Sequence, residues 1–299
     1  MIVEPDKYRS VKAVSLILLA FLMLASVGIL IKLQLNAGVS VEWIVFVQYS
    51  TCLLITLVIS AAKKFPVMRT NKIKYHIIRG LSGVMAFSCF AFAISKIPLV
   101  NASLLNNTSP IFIPIVTFLW LKVKIDKNIW WGILIGFIGI IFILDPSEKE
   151  FLKPGDLFGL ASGIFMSIAY VALGMLTKTE SFLTILFYYS LISALIFFPL
   201  ALNNWADPPL LVWLYAISTG VLFFCYVFFH QYAYRFLSAV KLSPLNFSVV
   251  VFTGLLDWFV FGSVPNLFSV IGIILVITGG ILAILLHEKD SNGLKHHWH

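Results

Sequence analysis

Long apolar segments alternate with short polar links along almost the whole chain. A helix needs about 20 mostly apolar residues to cross the hydrocarbon core of a bilayer, and ten segments approach or reach that length. The links between them are too short to hold a separate domain. We therefore predict an all-α integral membrane protein with ten transmembrane helices. The predicted spans are 11–33, 41–62, 76–95, 98–121, 128–145, 156–177, 181–202, 209–231, 238–262 and 265–286.

The composition excludes a soluble protein. Sixty per cent of the 299 residues are hydrophobic and only 11% are charged, whereas about a quarter of the residues of a typical soluble domain are charged. The first apolar segment is long enough to span, which indicates a retained helix and not a cleaved signal peptide. The three cysteines lie inside apolar segments and are expected to be small buried side chains: Cys52, Cys89 and Cys225.

The basic residues predict the orientation of the chain. If the N-terminus lies inside, seventeen lysines and arginines fall on the inner side, Arg79 among them, and four fall on the outer side. Inner links of membrane proteins carry the excess of basic residues. We therefore expect both termini, 1–10 and 287–299, to be cytoplasmic, in a plasma (inner) membrane. The net charge of +8 then reflects topology and not nucleic-acid binding.

The second half of the chain repeats the first at an offset of about 140 residues. Identical pairs at this offset include Gly80 and Gly220, Tyr49 and Tyr189, and Asn106 and Asn246. Five spans is an odd number, so the second repeat must cross the membrane in the opposite sense to the first. We predict two inverted five-helix repeats, 11–145 and 156–286, an arrangement typical of secondary transporters with a substrate site between the halves.

Four stretches resemble a known family. They are RGLSGVMAFSCFAFAISKIPLVNASLLNNTSPIF (79–112), WWGILIGFIGIIFIL (130–144), YRFLSAVKLSPLNFSVVVFTGLLDWFVFG (234–262) and IGIILVITGGILAIL (271–285). They are similar to the drug/metabolite transporter superfamily, in its EamA-type branch. The resemblance covers about 11–286 and implies transport of small metabolites such as amino acids, choline or S-adenosylmethionine. The chain departs from the family's pattern at Val123 and Ser263, where Glu is frequent, and at Gln48, where Arg is frequent.

The fourth span contains a polar run followed by two prolines, Pro110 and Pro114. Proline has no N–H, so Pro110 leaves the Asn106 carbonyl without its helical partner. This pattern predicts a broken helix that lines a cavity; the alternative is that the amides bond neighbouring helices. The same two alternatives apply to Gln48, whose amide either reaches the cavity or bonds the next helix. Aromatic residues near such a site are candidates for an aromatic cage. The candidate substrate contacts are Asn106, Asn246, Gln48, Tyr49, Tyr188, Ser103 and Asn107.

Two titratable residues are candidates for coupling transport to an ion gradient. Asp257 lies deep in the ninth span, where carboxylates usually mark an ion path or a cationic ligand. The alternative is an interfacial residue that caps a helix or pairs with Lys96. His230 in the eighth span is a candidate proton relay, with a hydrogen bond to Tyr226 as the alternative.

The sequence therefore predicts a secondary transporter of a small polar, zwitterionic or cationic metabolite, such as an amino acid, a choline-like amine, S-adenosylmethionine or a nucleoside. No ATP-binding motif occurs, so transport is expected to run on gradients or exchange. No basic residue lies deep in the predicted helices, which disfavours strongly anionic cargo such as sugar phosphates. A membrane enzyme acting on a lipid or peptide is the alternative, but no catalytic cluster supports it. We expect no metal or cofactor. We expect membrane lipids to surround the helices.

Glycines recur at helical spacing in the fifth, sixth and tenth spans, where small residues let helix backbones touch. We expect these faces to pack helices together, with a homodimer contact as the alternative. The glycines are Gly132, Gly136, Gly139, Gly155, Gly159, Gly163, Gly272 and Gly279.

Overall fold

The structure is a computed structural model and contains no strand in the residues that it describes. These are 6–62, 64, 69–122, 129–143, 153–177, 179–205, 207–233, 236, 248–262, 267–268, 270–275 and 277–279. The helices are α1 (Asp6–Asn36), α2 (Val41–Ala62), α3 (Ile73–Ile94), α4 (Leu99–Asn106), α5 (Ser109–Leu121), α6 (Ile129–Ile143), α7 (Pro154–Leu176), α8 (Phe182–Asn203), α9 (Leu210–Ala233) and α10 (Ser248–Phe261). Residues 270–275 and 277–279 are also helical.

Six helices of the described chain are long and apolar enough to cross a bilayer, namely α1, α2, α3, α7, α8 and α9. Their bounds agree with six of the predicted spans to within a few residues, except that α1 begins earlier. The fourth predicted span is divided between α4 and α5. Residues 238–247, in the ninth predicted span, lie outside the described residues.

The break between α4 and α5 confirms the effect expected of the prolines. The N–H of Asn107 donates to the Ser103 carbonyl at 2.9 Å, and the N–H of Thr108 donates to the Leu105 carbonyl at 3.2 Å. The Thr108 hydroxyl donates to the same carbonyl at 2.6 Å. These bonds close the last turn of α4. Pro110 then occupies the first turn of α5, where a missing N–H costs no helical hydrogen bond.

Side chains that bond to the first turn mark the start of two helices. The Ser181 hydroxyl accepts a hydrogen bond from the N–H of Thr184 at 3.2 Å at the start of α8. The Asp156 carboxylate accepts one from the N–H of Lys153 at 3.1 Å at the start of α7, whose first residue is Pro154. Both arrangements satisfy N–H groups that a helix leaves unpaired at its N-terminus.

The most extensive packing joins helices from the two halves of the chain. Helix α3 packs along α7, α1 along α9 and α2 along α8. Helices α4 and α5 also pack on α7, and α10 packs on α1 and α4. Contacts between helices of the same half are less extensive. The core is therefore shared by both halves.

Glycines make the closest of these approaches. A Cβ on Gly163 in α7 would lie 2.7 Å from the backbone oxygen of Leu105 and 2.6 Å from the Thr108 hydroxyl. A Cβ on Gly159 would lie 2.8 Å from a Leu105 methyl carbon, and Gly136 of α6 lies against Ile111. These glycines pack helices within one chain, so the homodimer alternative is not needed to explain them.

The outer surface is apolar and the interior contains polar side chains. Val58, Leu195 and Phe259 are 68%, 63% and 86% exposed, whereas Gln34 and Gln48 are fully buried. An apolar exterior of this kind suits contact with lipid chains, in which polar groups must find partners inside the protein.

Candidate functional site

Two tyrosines from different halves of the chain meet in the interior. The hydroxyls of Tyr49 on α2 and Tyr189 on α8 lie 2.6 Å apart, and both side chains are buried. The edge of the Tyr49 ring also contacts Phe87 of α3 and Phe223 of α9, at centroid distances of 5.8 Å and 5.6 Å. The four helices thus converge on one aromatic cluster.

A buried arginine lies against this cluster. Arg79 is only 9% exposed, and its guanidinium carbon lies 4.2 Å from the centroid of the Tyr189 ring. Its Nε and Nη1 atoms have no hydrogen-bond partner. A Cβ on Gly83 would lie 2.6 Å from Nη1 and 2.5 Å from a Tyr189 ring carbon, so the glycine leaves room for the pair.

Arg79 corrects one expectation from the sequence. It lies within the predicted span 76–95 and on helix α3, which begins at Ile73. Its guanidinium reaches the level of Gly83, which is the eleventh of the 22 residues of α3. The expectation that the helices bury no basic residue is therefore wrong. The charge of Arg79 lies near the middle of a helix long enough to span the membrane.

Further buried polar atoms lie beside the two tyrosines in the chain. Gln48 is fully buried, and neither its amide nitrogen nor its amide oxygen has a partner. The hydroxyl of Ser190, next to Tyr189, also lacks one. Buried polar groups are nearly always satisfied by protein, water or ligand. Atoms of this kind near Tyr49 and Tyr189 are therefore suited to receive a polar ligand.

The broken fourth span supplies another such atom. The side-chain oxygen of Asn106, at the end of α4, is buried without a partner. The amide of Asn107 donates to the carbonyl of Ser103 at 2.7 Å, and Ser103 is itself buried. The predicted contact Asn246 lies outside the described residues.

Tyr188, which the sequence suggested as a substrate contact, faces a different group from Tyr49. Its ring lies 4.5 Å from the ring of His76, a histidine of α3 that is almost fully buried with both ring nitrogens unpartnered. The neighbouring Tyr189 takes the place beside Tyr49. Tyr189 was not among the predicted substrate contacts, where Tyr188 was preferred, although its match to Tyr49 in the predicted repeat was a signal for it.

Asp257 forms an ion pair across the two halves. Its Oδ1 lies 3.0 Å from Nζ of Lys32 on α1, and the two side chains are 0% and 16% exposed. The other carboxylate oxygen has no partner. The ammonium group of Lys32 also lies 4.2 Å from the centroid of the Phe261 ring. The alternative of a pair with Lys96 is not the one that the structure shows, since Lys32 takes that place and Lys96 lies over the ring of Phe92.

His230 lies apart from that pair. Its ring is buried on α9, 5.6 Å from the ring of Phe21 and 5.5 Å from that of Tyr226. Phe21 precedes Lys32 by eleven residues of α1, a distance of about 16 Å along a helix. The structure therefore does not join the two coupling candidates. Gln34, two residues after Lys32, was not predicted from the sequence as a buried polar contact. Its amide donates a hydrogen bond to the Thr219 hydroxyl at 3.0 Å.

No group of three or more His, Cys, Asp or Glu side chains suited to hold a metal ion occurs in the described part of the chain. The buried polar groups of that part of the protein include amides, hydroxyls, the imidazoles of His76 and His230, the guanidinium of Arg79, and the carboxylates of Asp156 and Asp257.

The sequence profile of the EamA-like transporter family matches residues 11–145 and 153–285. The chain belongs to this family. The resemblance that the sequence suggested is thus confirmed, and this EamA-like protein is an integral, multi-pass membrane transporter and not an enzyme.

Named relatives transport different small molecules in different directions. The pseudopaline exporter of Pseudomonas aeruginosa is 27% identical over 206 residues, which is 69% of this chain and 72% of the exporter. The S-adenosylmethionine uptake transporter of Rickettsia prowazekii is 24% identical over 250 residues, 83% of each chain. These relatives support a small-molecule substrate for the EamA-like transporter.

A solved crystal structure shows the same fold. It matches with a TM-score of 0.62 over 91% of this chain and 98% of the other, at 18% sequence identity. At that identity the likeness concerns the fold alone.

Proposed function

We propose that the protein is a secondary transporter in which two inverted five-helix halves alternate access to a site beside Tyr49 and Tyr189. The observation that carries this proposal is the hydrogen bond between the two hydroxyls, because the residues are 140 positions apart. That is the offset of the predicted repeat. Residues that are equivalent under a twofold axis and also in contact must lie beside that axis. In inverted repeats the axis lies in the membrane plane, where the substrate site is usually found.

The packing of the helices supports the same symmetry. The contact of α3 with α7 joins the third helix of one half to the first of the other, and the contact of α1 with α9 is the reverse exchange. Helices α2 and α8 are equivalent to each other and pack together. The two family matches are of nearly equal length, which favours repeats at 11–145 and 156–286. Ten spans then place both termini on the cytoplasmic side of the plasma (inner) membrane.

The substrate in this proposal is a small polar metabolite of the amino-acid or S-adenosylmethionine class. The unpartnered amide of Gln48 and the unpartnered oxygen of Asn106 are the hydrogen-bonding groups that receive it. The other proposed contacts are Ser103, Asn107, Tyr49, Tyr188 and Asn246. A buried amide that gains a partner on binding gives affinity and orientation. Asp257, paired with Lys32, is the proposed coupling residue, and gradients or exchange drive transport.

Ligand-induced stabilisation of the purified protein in detergent tests the site. A panel of amino acids, S-adenosylmethionine, quaternary amines and nucleosides is screened for a rise in melting temperature, since a ligand that binds only the folded state stabilises it by mass action. We expect Gln48→Ala to abolish the shift given by any ligand that binds. Leu195→Ala, on the exposed apolar surface, is the matched control and is expected to keep it.

The same ligand is then followed into proteoliposomes by radiolabel counterflow. Accumulation that depends on Gln48 supports transport through the proposed site. A ligand that stabilises the Gln48→Ala protein as strongly as wild type contradicts the location of the site, and binding without counterflow contradicts transport of that ligand.

A further inference from the structure

We infer that Arg79 binds a carboxylate group of the transported molecule. This inference rests on the proposed function, because it names a chemical group recognised at the same site. The buried guanidinium of Arg79 supplies a positive charge deep in the protein, where the sequence predicted none, and a single carboxylate of a zwitterion can pair with it.

Arg79 lacks a counter-charge in the part of the chain that the structure describes, since no carboxylate there lies within 4.0 Å of its guanidinium. Removing a charge from water without a partner is costly. The Tyr189 ring offers a cation–π contact at 4.2 Å, which offsets only part of that cost. An anion that binds during transport supplies the rest.

Two nitrogen atoms of the Arg79 side chain have N–H groups that are free to donate. Nε and Nη1 of Arg79 are buried and without hydrogen-bond partners. A guanidinium presents its N–H groups in a planar fork that matches the two oxygens of a carboxylate, and such charge-assisted bonds are among the strongest in proteins. Arg79 can therefore receive an anion without first breaking an internal ion pair.

The positive charge of Arg79 lies near the proposed twofold axis and has no counterpart in the other repeat. The guanidinium of Arg79 lies over the ring of Tyr189, and Tyr189 contacts Tyr49, its equivalent in the other predicted repeat. The guanidinium therefore lies close to the proposed twofold axis. The residue 140 positions after Arg79 is Thr219, which is neutral and accepts a hydrogen bond from Gln34. Only one of the two equivalent positions carries a charge. One guanidinium balances one carboxylate, as in a zwitterionic amino-acid group, better than it balances a phosphate dianion.

Matched ligand pairs test the inference on the full-length protein in detergent. The probes are L-methionine and L-methioninamide, L-phenylalanine and L-phenylalaninamide, and S-adenosylmethionine and its decarboxylated form, with methyl phosphate as a separate anion. We expect the carboxylates to raise the melting temperature more than their counterparts without a carboxylate, which keep only their positive charges. Loss of a charge-assisted hydrogen bond corresponds to about a ten- to hundredfold weaker apparent affinity.

Variants of Arg79 assign that preference to its side chain. Arg79→Gln is expected to abolish the difference within each pair, and Arg79→Lys, which keeps the charge, to retain part of it. Arg69→Gln removes an exposed arginine just before α3 and is the control that should respond as wild type does. In ligand-free detergent, Arg79→Gln is expected to melt no lower than wild type, because it removes an unpaired buried charge. A purely structural arginine would instead lower the melting temperature when removed.

Several outcomes would overturn the inference. These are equal shifts within every pair, a response to methyl phosphate alone, no shift from any carboxylate, or a carboxylate preference that survives in Arg79→Gln. Ligands that bind through Gln48 and are indifferent to Arg79→Gln would leave the proposed site standing while removing the carboxylate contact. Carboxylate binding through Arg79 without counterflow in proteoliposomes would leave the carboxylate contact standing and would contradict transport of that ligand.

Discussion

The buried ion pair between Lys32 and Asp257 gives a quantitative prediction about stability. The ammonium and carboxylate groups lie 3.0 Å apart and join α1 to α10. The change to be made is Lys32→Met, which leaves the Asp257 carboxylate without its cation in a position that is 0% exposed. Removing one member of a buried pair typically lowers the free energy of unfolding by about 3–5 kcal/mol. We expect Lys32→Met to fall in that range.

The reciprocal change should cost less. Asp257→Leu leaves Lys32, whose side chain is 16% exposed and flexible enough to turn its ammonium group toward water. We therefore expect a loss of about 1–2 kcal/mol, typical of a single lost polar interaction. The double variant Lys32→Met/Asp257→Leu leaves no unpaired charge and is expected within about 1 kcal/mol of wild type. The double-mutant cycle should then give an interaction energy of at least about 3 kcal/mol.

Equilibrium unfolding in mixed detergent micelles measures these differences, followed by the fluorescence of the eight tryptophans. Lys96→Met is the matched control, because Lys96 is exposed and is the partner that the sequence suggested; its effect should stay within about 0.5 kcal/mol. Additive single effects, or a Lys32→Met loss below about 1 kcal/mol, would refute the reasoning. Transport by the stable double variant then separates the roles: activity that no longer follows the gradient indicates coupling, and unchanged activity indicates a structural pair.

Three further predictions concern packing and helix ends. Tyr49→Phe and Tyr189→Phe each leave a buried hydroxyl without its partner and should each cost about 1–3 kcal/mol, whereas thermal melting of the double variant should show most of that loss recovered. Gly163→Val should lower the free energy of unfolding by about 1–3 kcal/mol or more, because the new side chain meets the break between α4 and α5. Gly174 has open space around it, so Gly174→Ala should be neutral or stabilising by up to about 1 kcal/mol in the same unfolding assay. Ser181→Ala should cost about 1 kcal/mol and speed amide hydrogen exchange in the first turn of α8.

The helices themselves could be predicted from the sequence because their signals are local. The second predicted span, 41–62, has the bounds of α2, since a long apolar segment in lipid has no alternative to hydrogen-bonding its own backbone as a helix. The interruption of the fourth span was predicted from Pro110 for a similarly local reason, the absence of an N–H group. Asp257 was also recognised as an intramembrane acid from its apolar surroundings alone.

The partners of the polar residues could not be predicted in this way. Asp257 and Lys32 are 225 positions apart. Predicted sidedness places both Lys32 and Lys96 outside and so does not tell which of the two meets Asp257. Tyr188 and Tyr189 are adjacent in sequence, so composition could not decide which of the two rings meets Tyr49. Arg79 was counted with the basic residues of the inner side because it lies near the inner end of the predicted span 76–95.

The sequence by itself determined the family, the membrane location, the helices and the break in the fourth span, because each depends on apolar length or on the chemistry of a few neighbouring residues. Only the tertiary structure decided which buried polar groups meet. Helices in lipid are apolar on nearly every side, so little in the pattern of a single helix tells which face turns inward. Close packing at small residues such as Gly83 and Gly163 sets those faces, and it brings Arg79 onto Tyr189 and α7 onto the broken span.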